Sequence, residues 1–199
     1  MVFGADTDRA ARYAVLLATI GIERGLLGPR EADRIWGRHL FNSAALAPLV
    51  ASSATVVDLG SGAGLPGIPL ALARPDLRVV LLEPMARRVQ FLEECVRELG
   101  LGNVTVHRGR AQDGVPVTAD AVTARAVAPL AALAALAFPL CRRDGVLYAL
   151  KGAKAAAEAA ELDRGGGFVS IIHNLTDADD EPATVVEVRR SNKRGRKAP

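Results

Sequence analysis

Aromatic residues make up only 4% of this 199-residue chain, which holds three histidines and two cysteines. So few aromatics argue against a protein that reads nucleic acid chiefly by base stacking. Cys95 and Cys141 are too few for a disulfide scaffold or a cysteine-rich zinc site. No apolar run reaches the roughly 20 residues that a membrane span requires. The best stretch, Val127 to Leu140, is short and broken by Pro129 and Pro139. The first residues carry Asp6, Asp8 and Arg9 rather than a basic segment before an apolar one. No secretory leader is therefore expected, and the cytoplasm is the expected location. No metal site is expected either. The acidic group Asp177, Asp179, Asp180 and Glu181 has no histidine or cysteine beside it and reads as an exposed turn.

What the chain has in quantity is alanine, leucine and valine. Half of its residues are hydrophobic and 24% are charged, enough to bury a core at single-domain length. The net charge of +3 is unevenly placed: six basic and no acidic residues lie from Arg189 onward, so the rest is mildly acidic. A basic tail attracts polyanions by releasing their counterions.

Residues 9–50 read as helical, with Ala10, Tyr13, Ala14, Leu17 and Ile20 at helical spacing. From Thr55 the pattern changes to short β-rich runs: Thr55 to Leu59, Arg78 to Leu82, Thr105 to His107, Ala121 to Ala124 and Val146 to Leu150. Phe168 to His173 and Thr184 to Val188 follow. The clearest intervening helix begins after Pro84, with Met85, Val89, Leu92, Val96 and Leu99 on one stripe and Gly100 at its end. Cys95, beside that stripe, reads as a buried structural thiol. Strand–helix alternation predicts a mostly parallel sheet covered on both faces. The last two strands are too close for a helical crossover and should pair as an antiparallel hairpin at one edge. The expected fold is therefore α/β and Rossmann-like, with the strand pattern of class I methyltransferases. It comprises a seven-stranded, mostly parallel sheet with a C-terminal antiparallel hairpin strand over residues 53–190. A helical extension precedes it over 1–52, and a basic tail follows over 191–199.

The densest chemistry lies in the run Val56 to Gly67, VVDLGSGAGLPG, where a strand ends, glycines turn the chain and a helix begins. Gly60, Gly62 and Gly64 allow positive φ and close approach of a ligand to the backbone. Two registers compete. Gly62, Gly64 and Gly67 fit a dinucleotide G-x-G-x-x-G loop; Asp58 with Gly60, Gly62 and Gly64 fits the D-x-G-x-G-x-G loop of methyltransferases. A carboxylate at Asp58 suits a cationic ligand such as the methionine ammonium of S-adenosylmethionine and repels a pyrophosphate. Pro66 removes an N–H that a pyrophosphate would use. Glu83, ending the second strand, suits the two hydroxyls of a ribose in either case. After the third strand, Ala111 has a backbone N–H suited to an adenine edge, and Gln112 or Asp113 a side-chain acceptor for its amine.

The stretch VDLGSGAGLPGIPLA from Val57 to Ala71 resembles the signature of the bacterial RsmG (GidB) family. The likeness continues through LLEPMARRVQFLEE (Leu81 to Glu94), TARAVAPL (Thr123 to Leu130), YALKG (Tyr148 to Gly152) and RHLFNS (Arg38 to Ser43). The resemblance implies an S-adenosylmethionine-dependent methyltransferase acting on guanine N7 in the 530 loop of 16S ribosomal RNA. By it, Gly60 and Leu65 line the cofactor, Glu83 holds the ribose, Ala111 and Gln112 meet the adenine, and Arg125 sits near the methionine end as the candidate catalytic residue. Guanine N7 has a free lone pair, so such an enzyme needs alignment rather than a general base. Candidate RNA contacts are Arg38 and His39 in the arginine-rich segment, Lys151 after the fifth strand, and Lys193, Arg194 and Arg196 in the tail. A monomer acting on rRNA or the small ribosomal subunit is expected. The competing functions are an NAD-dependent oxidoreductase and a non-catalytic RNA-binding protein with a vestigial cofactor pocket.

Overall fold

The computed structural model describes residues 2–125, 127–176 and 182–191. Among the described residues there are seven strands: β1 Thr55–Leu59, β2 Arg78–Glu83, β3 Val104–Arg108, β4 Ala119–Arg125, β5 Cys141–Lys151, β6 Phe168–Thr176 and β7 Pro182–Arg190. They form one sheet in the order β3-β2-β1-β4-β5-β7-β6. The pairs among β1 to β5 are parallel, and β7 runs against both β5 and β6. The expected hairpin is therefore at the edge, with its second strand inserted next to β5.

β5 starts five residues earlier than the sequence pattern indicates. Arg142, Arg143 and Asp144 are exposed and read as a loop, yet they lie within the strand. Pairing jumps from Ala119–Cys141 to Ala121–Val146 across this irregularity.

Why the sheet is covered on both faces is visible in its alternation. Val56, Val79, Leu81, Ala121, Val146, Tyr148 and Leu150 face one core. Their chain neighbours Val57, Val80, Leu82, Val122, Leu147 and Ala149 face the other. Strand side chains point to opposite faces in turn, so near-continuous apolar strands require two cores. The second core is closed by α5 (Leu130–Ala137) and α6 (Ala155–Arg164) through Leu130, Leu133, Ala159 and Leu162. The first is closed by α3 (Gly67–Ala73), α4 (Ala86–Leu99) and the N-terminal extension.

That extension opens with a 3-10 turn at Gly4–Asp6 and α1 (Thr7–Leu16), continues in π-type turns over Leu17–Gly21 and Ile35–Phe41 and a 3-10 turn over Pro29–Arg34, and closes with the short α2 (Asn42–Ala44) and a 3-10 turn at Ala47–Leu49. Tyr13, Leu17, Ile35 and Leu40 share one core with Phe91 and Leu92 of α4. The extension is thus built into the body of the sheet domain.

α4 follows the expected stripe, and Gly100 ends it at φ +60°, the left-handed conformation that only glycine adopts cheaply. Cys95 is fully buried there, and burial pushes its thiol up to about 12, as suits a structural residue. Among the described residues, no helix is long and apolar enough to cross a membrane, and no three potential ligands cluster for a metal. The acidic group 177–181 and the tail candidates Lys193, Arg194 and Arg196 lie outside the described residues.

Candidate active site

β1 and β4 are neighbours, and the sheet order departs from them in opposite directions. Ligands of open α/β sheets bind at this switch point, beyond the carboxyl ends of the strands. Here those ends carry the glycine loop after Leu59 and Arg125 after Ala124.

The loop is braced from beneath. Asp58 is fully buried; its carboxylate accepts from the Gly67 N–H at 3.1 Å and from the Thr123 hydroxyl at 3.2 Å. Burial pushes Asp58 up to about 6 despite these donors. A side chain at Gly67 would collide with Asp58 and Leu81. The Ser61 hydroxyl donates to the Asp58 carbonyl at 2.9 Å, and the Tyr13 hydroxyl to the Ala63 carbonyl at 2.6 Å.

Gly60, Gly62, Ala63 and Leu65 line a cavity of about 500 Å³ together with Glu83, Met85, Arg125 and Val127. The volume falls within the ~300–1,000 Å³ of small-molecule sites. Gly60 has φ +71°, and a Cβ there would stand 3.0 Å from Val127 Cγ2, filling the cavity wall. Glu83 is 1% exposed. Its Oε2 accepts from the Gly62 N–H and its Oε1 from the Met85 N–H, both at 3.0 Å, with Arg88 at 3.7 Å. Each oxygen keeps acceptor capacity toward the cavity. A backbone cradle free of side chains beside a fixed, buried carboxylate fits a nucleoside with vicinal hydroxyls.

A second cavity, about 570 Å³, adjoins the first, and Arg125 lines both. Arg34, Arg38, Lys151 and Lys154 also line it, against one carboxylate, Glu158. Arg125 is fixed in place by the extension: its Nη2 lies 2.8 Å from His39 Nδ1, and its Nη1 donates to Ser43 Oγ at 3.3 Å. His39 is buried, and desolvation together with the Arg125 charge pushes it down to about 4. The imidazole is therefore neutral at neutral pH.

A family model described as rRNA small subunit methyltransferase G matches residues 6–180. The chain belongs to this family. The Ribosomal RNA small subunit methyltransferase G of Thermobifida fusca is 56% identical, over 93% of this chain and 80% of that protein. Its namesake from Salinispora arenicola is 53% identical over 95% and 84%. Solved structures share the fold at low identity. The pyocyanin biosynthetic protein PhzM has a TM-score of 0.60 at 18% identity, over 89% of this chain and 61% of that one. M. jannaschii TYW2, solved in complex with AdoMet, has 0.55 at 20%, over 75% and 74%.

In this chain the expected site residues separate into groups. Gly60, Gly62, Leu65, Glu83, His39 and Arg125 meet at the first cavity, and Arg38, Arg125 and Lys151 at the second. Asp58 lines neither, because its carboxylate is committed to Gly67 and Thr123 beneath the loop. Gly64 also faces inward: a Cβ there would stand 2.5 Å from Ile68 Cδ1 and 2.8 Å from the Tyr13 hydroxyl. Ala111 and Gln112 lie on a single turn, Ala111–Asp113, that lines neither cavity; the Gly109 N–H ties the start of this loop to the Glu83 carbonyl at 3.2 Å. Lys151 reaches the basic cavity already engaged, donating to the Ala128 carbonyl at 2.6 Å and pairing with Glu158 at 2.8 Å. Leu26, Leu27 and Val127 line the first cavity and were not singled out from the sequence. Nothing local marks the two leucines; only packing of the extension brings them over the glycine loop.

Proposed function

We propose that this chain transfers the methyl group of S-adenosylmethionine to N7 of a guanine in the 530 loop of 16S ribosomal RNA, in line and without a general base. Bound there, S-adenosylmethionine supplies a methyl group activated by its sulfonium. Glu83 accepts from the ribose hydroxyls, and Gly60 and Gly62 offer backbone with no side chain in the way. Ala111 and Gln112 line neither cavity but stand on the loop that Gly109 ties to Glu83, where an adenine reaching past the ribose would be met. Arg38 and its neighbours in the basic cavity take the RNA phosphates as charge-assisted contacts. Arg125, in the shared wall, aligns the target base with the methyl donor.

The chemistry agrees with these side chains. An N7 lone pair attacks without losing a proton, so rate comes from alignment. Among the described residues, His39 is the only imidazole lining either cavity, and its Nδ1 is occupied by Arg125. The observation that carries the reading is the meeting, at one arginine, of a cavity lined by glycine backbone and the buried Glu83 with a basic cavity, in a chain of this family.

The test is mass mapping of rRNA from cells lacking the enzyme after incubation with protein and cofactor. One added methyl on a 530-loop guanine, blocking N7, is expected. A methyl elsewhere, or none on any rRNA, subunit or assembly intermediate, overturns the proposal.

A further inference from the structure

Arg125 owes its place to a chain of contacts that starts outside both strands of the switch point. Glu31 lies in the 3-10 turn Pro29–Arg34 of the extension. Its Oε2 serves two neighbours, standing 2.8 Å from His39 Nε2 and 3.4 Å from Arg38 Nε. Across the imidazole, Nδ1 faces Arg125 Nη2 at 2.8 Å.

A guanidinium only donates. Nδ1 must therefore present its lone pair to Arg125, and the ring proton of neutral His39 must be on Nε2, facing Glu31. Nε2 and Oε2 touch without the alignment of a hydrogen bond, and both are shielded from water. Charge supplies the remaining reason for the contact. Arg38 and Arg125 both bear on the buried ring and disfavour its protonation, and Glu31 is the carboxylate that opposes them. Removing that carboxylate would leave two guanidiniums around the buried ring with no opposing charge, at a cost borne by whichever group can move.

We infer that Glu31 is a positioning residue of the methyl-transfer site: from the far side of the ring it steadies the His39 imidazole in the Nε2-protonated form that Arg125 requires, and so keeps the Arg125 guanidinium on the wall between the two cavities. The importance of that wall rests on the function proposed above; the state of the ring does not.

The first measurement is therefore made on the wild-type protein without ligand. The chain has only three histidines, so the ring nitrogens of His39 can be assigned by nitrogen-15 NMR. At neutral pH, Nε2 should appear protonated and Nδ1 unprotonated. The opposite tautomer, or an even mixture, overturns the inference with no variant made. The second measurement compares Glu31→Gln with Glu31→Ala in rRNA methylation, reading kcat and KM separately. Glu31→Gln keeps an oxygen near Nε2 and should keep the tautomer, with kcat reduced only a few-fold. Glu31→Ala should loosen the ring, let Arg125 leave Nδ1 and so mix the tautomers, and should lower kcat on the order of 10- to 100-fold, the scale of a small misplacement at a reacting centre, with a smaller change in KM for RNA. A Glu31→Ala protein with wild-type kcat overturns the inference, as does one whose loss is confined to KM. If Glu31→Ala does not fold, the tautomer of Glu31→Gln decides in its place. Wild-type protein that shows the expected tautomer and methylates no rRNA would defeat the proposed function alone, so the two failures are distinguishable.

Discussion

The Tyr13 hydroxyl of α1 donates to the Ala63 carbonyl across 2.6 Å, joining the N-terminal extension to the glycine loop 50 residues later in the chain. Both partners are buried, and burial pushes the phenol well above its usual range, so it stays a donor. Tyr13→Phe keeps the ring and leaves the Ala63 carbonyl without this donor. The expected cost is about 1–3 kcal/mol, with weaker cofactor binding because the loop loses its brace. Denaturant unfolding and calorimetry check both; unchanged cofactor affinity would show that the loop keeps its shape unaided.

Gly60 and Gly64 share positive φ but should fail differently. Gly60→Val puts its side chain into the cavity, against Val127, and should abolish cofactor binding in a protein that still folds. Gly64→Ala drives a methyl into Ile68 and the Tyr13 hydroxyl within the core. Overpacking and φ strain together make it lose about 2–4 kcal/mol of stability. Thermal melts with and without cofactor distinguish the two; equal stability losses would contradict the division.

Two buried groups titrate with opposite sign. His39 takes its proton at about 4 in the folded protein and near 6.5 ordinarily, so the unfolded chain binds more protons between these values and stability falls as pH drops through them. Asp58 takes its proton at about 6 when folded and near 3.8 ordinarily, so in that window the folded state binds more and stability rises as pH drops. The slopes offset each other in the wild type. His39→Gln should therefore gain stability, relative to wild type, between about pH 6.5 and 5, and Asp58→Asn should lose it. Melting temperatures across that range test this; parallel curves for all three proteins would refute it.

Lys151→Met should act on the fold. The ammonium holds the Ala128 carbonyl and Glu158, and Glu158 in turn accepts from the Leu130 N–H at the start of α5. The variant is expected to lose about 1–3 kcal/mol with an unchanged salt slope of RNA binding. A flatter slope at full stability would instead make Lys151 a phosphate contact.

Deleting residues 192–199 removes four basic side chains. RNA affinity should fall, and the dependence of log K on log salt should flatten by up to about one unit per lost phosphate contact. Cofactor affinity should stay unchanged. An unaltered slope excludes the tail from the RNA interface.

The site was partly legible because some of its devices are local. A glycine that must adopt positive φ beside a strand end, as at Gly60, announces itself, and Glu83 is found by counting to the end of the next strand. The start of β5 is not legible because Arg142, Arg143 and Asp144 are exposed polar residues, at an irregularity in the pairing with β4, whose polarity mimics a loop. The place of Asp58 in the motif suggests a ligand-facing carboxylate but says nothing about which way it turns; in the fold it turns to Gly67 and to Thr123, 65 residues later.

By itself, the order of residues determined the alternating strands, the two apolar faces, the α4 stripe with its Gly100 stop, and the turn that opens the first cavity. Each follows from spacings of two or 3.6 residues and from backbone freedom, which near neighbours impose. Only the tertiary structure decided which charges are engaged. His39 meets Arg125 across 86 residues of chain, Lys151 is drawn to Ala128 and Glu158, and Glu31 arrives beside a buried ring. A charged group's role depends on what packs over it and excludes water, and that is settled only when distant segments close on one another.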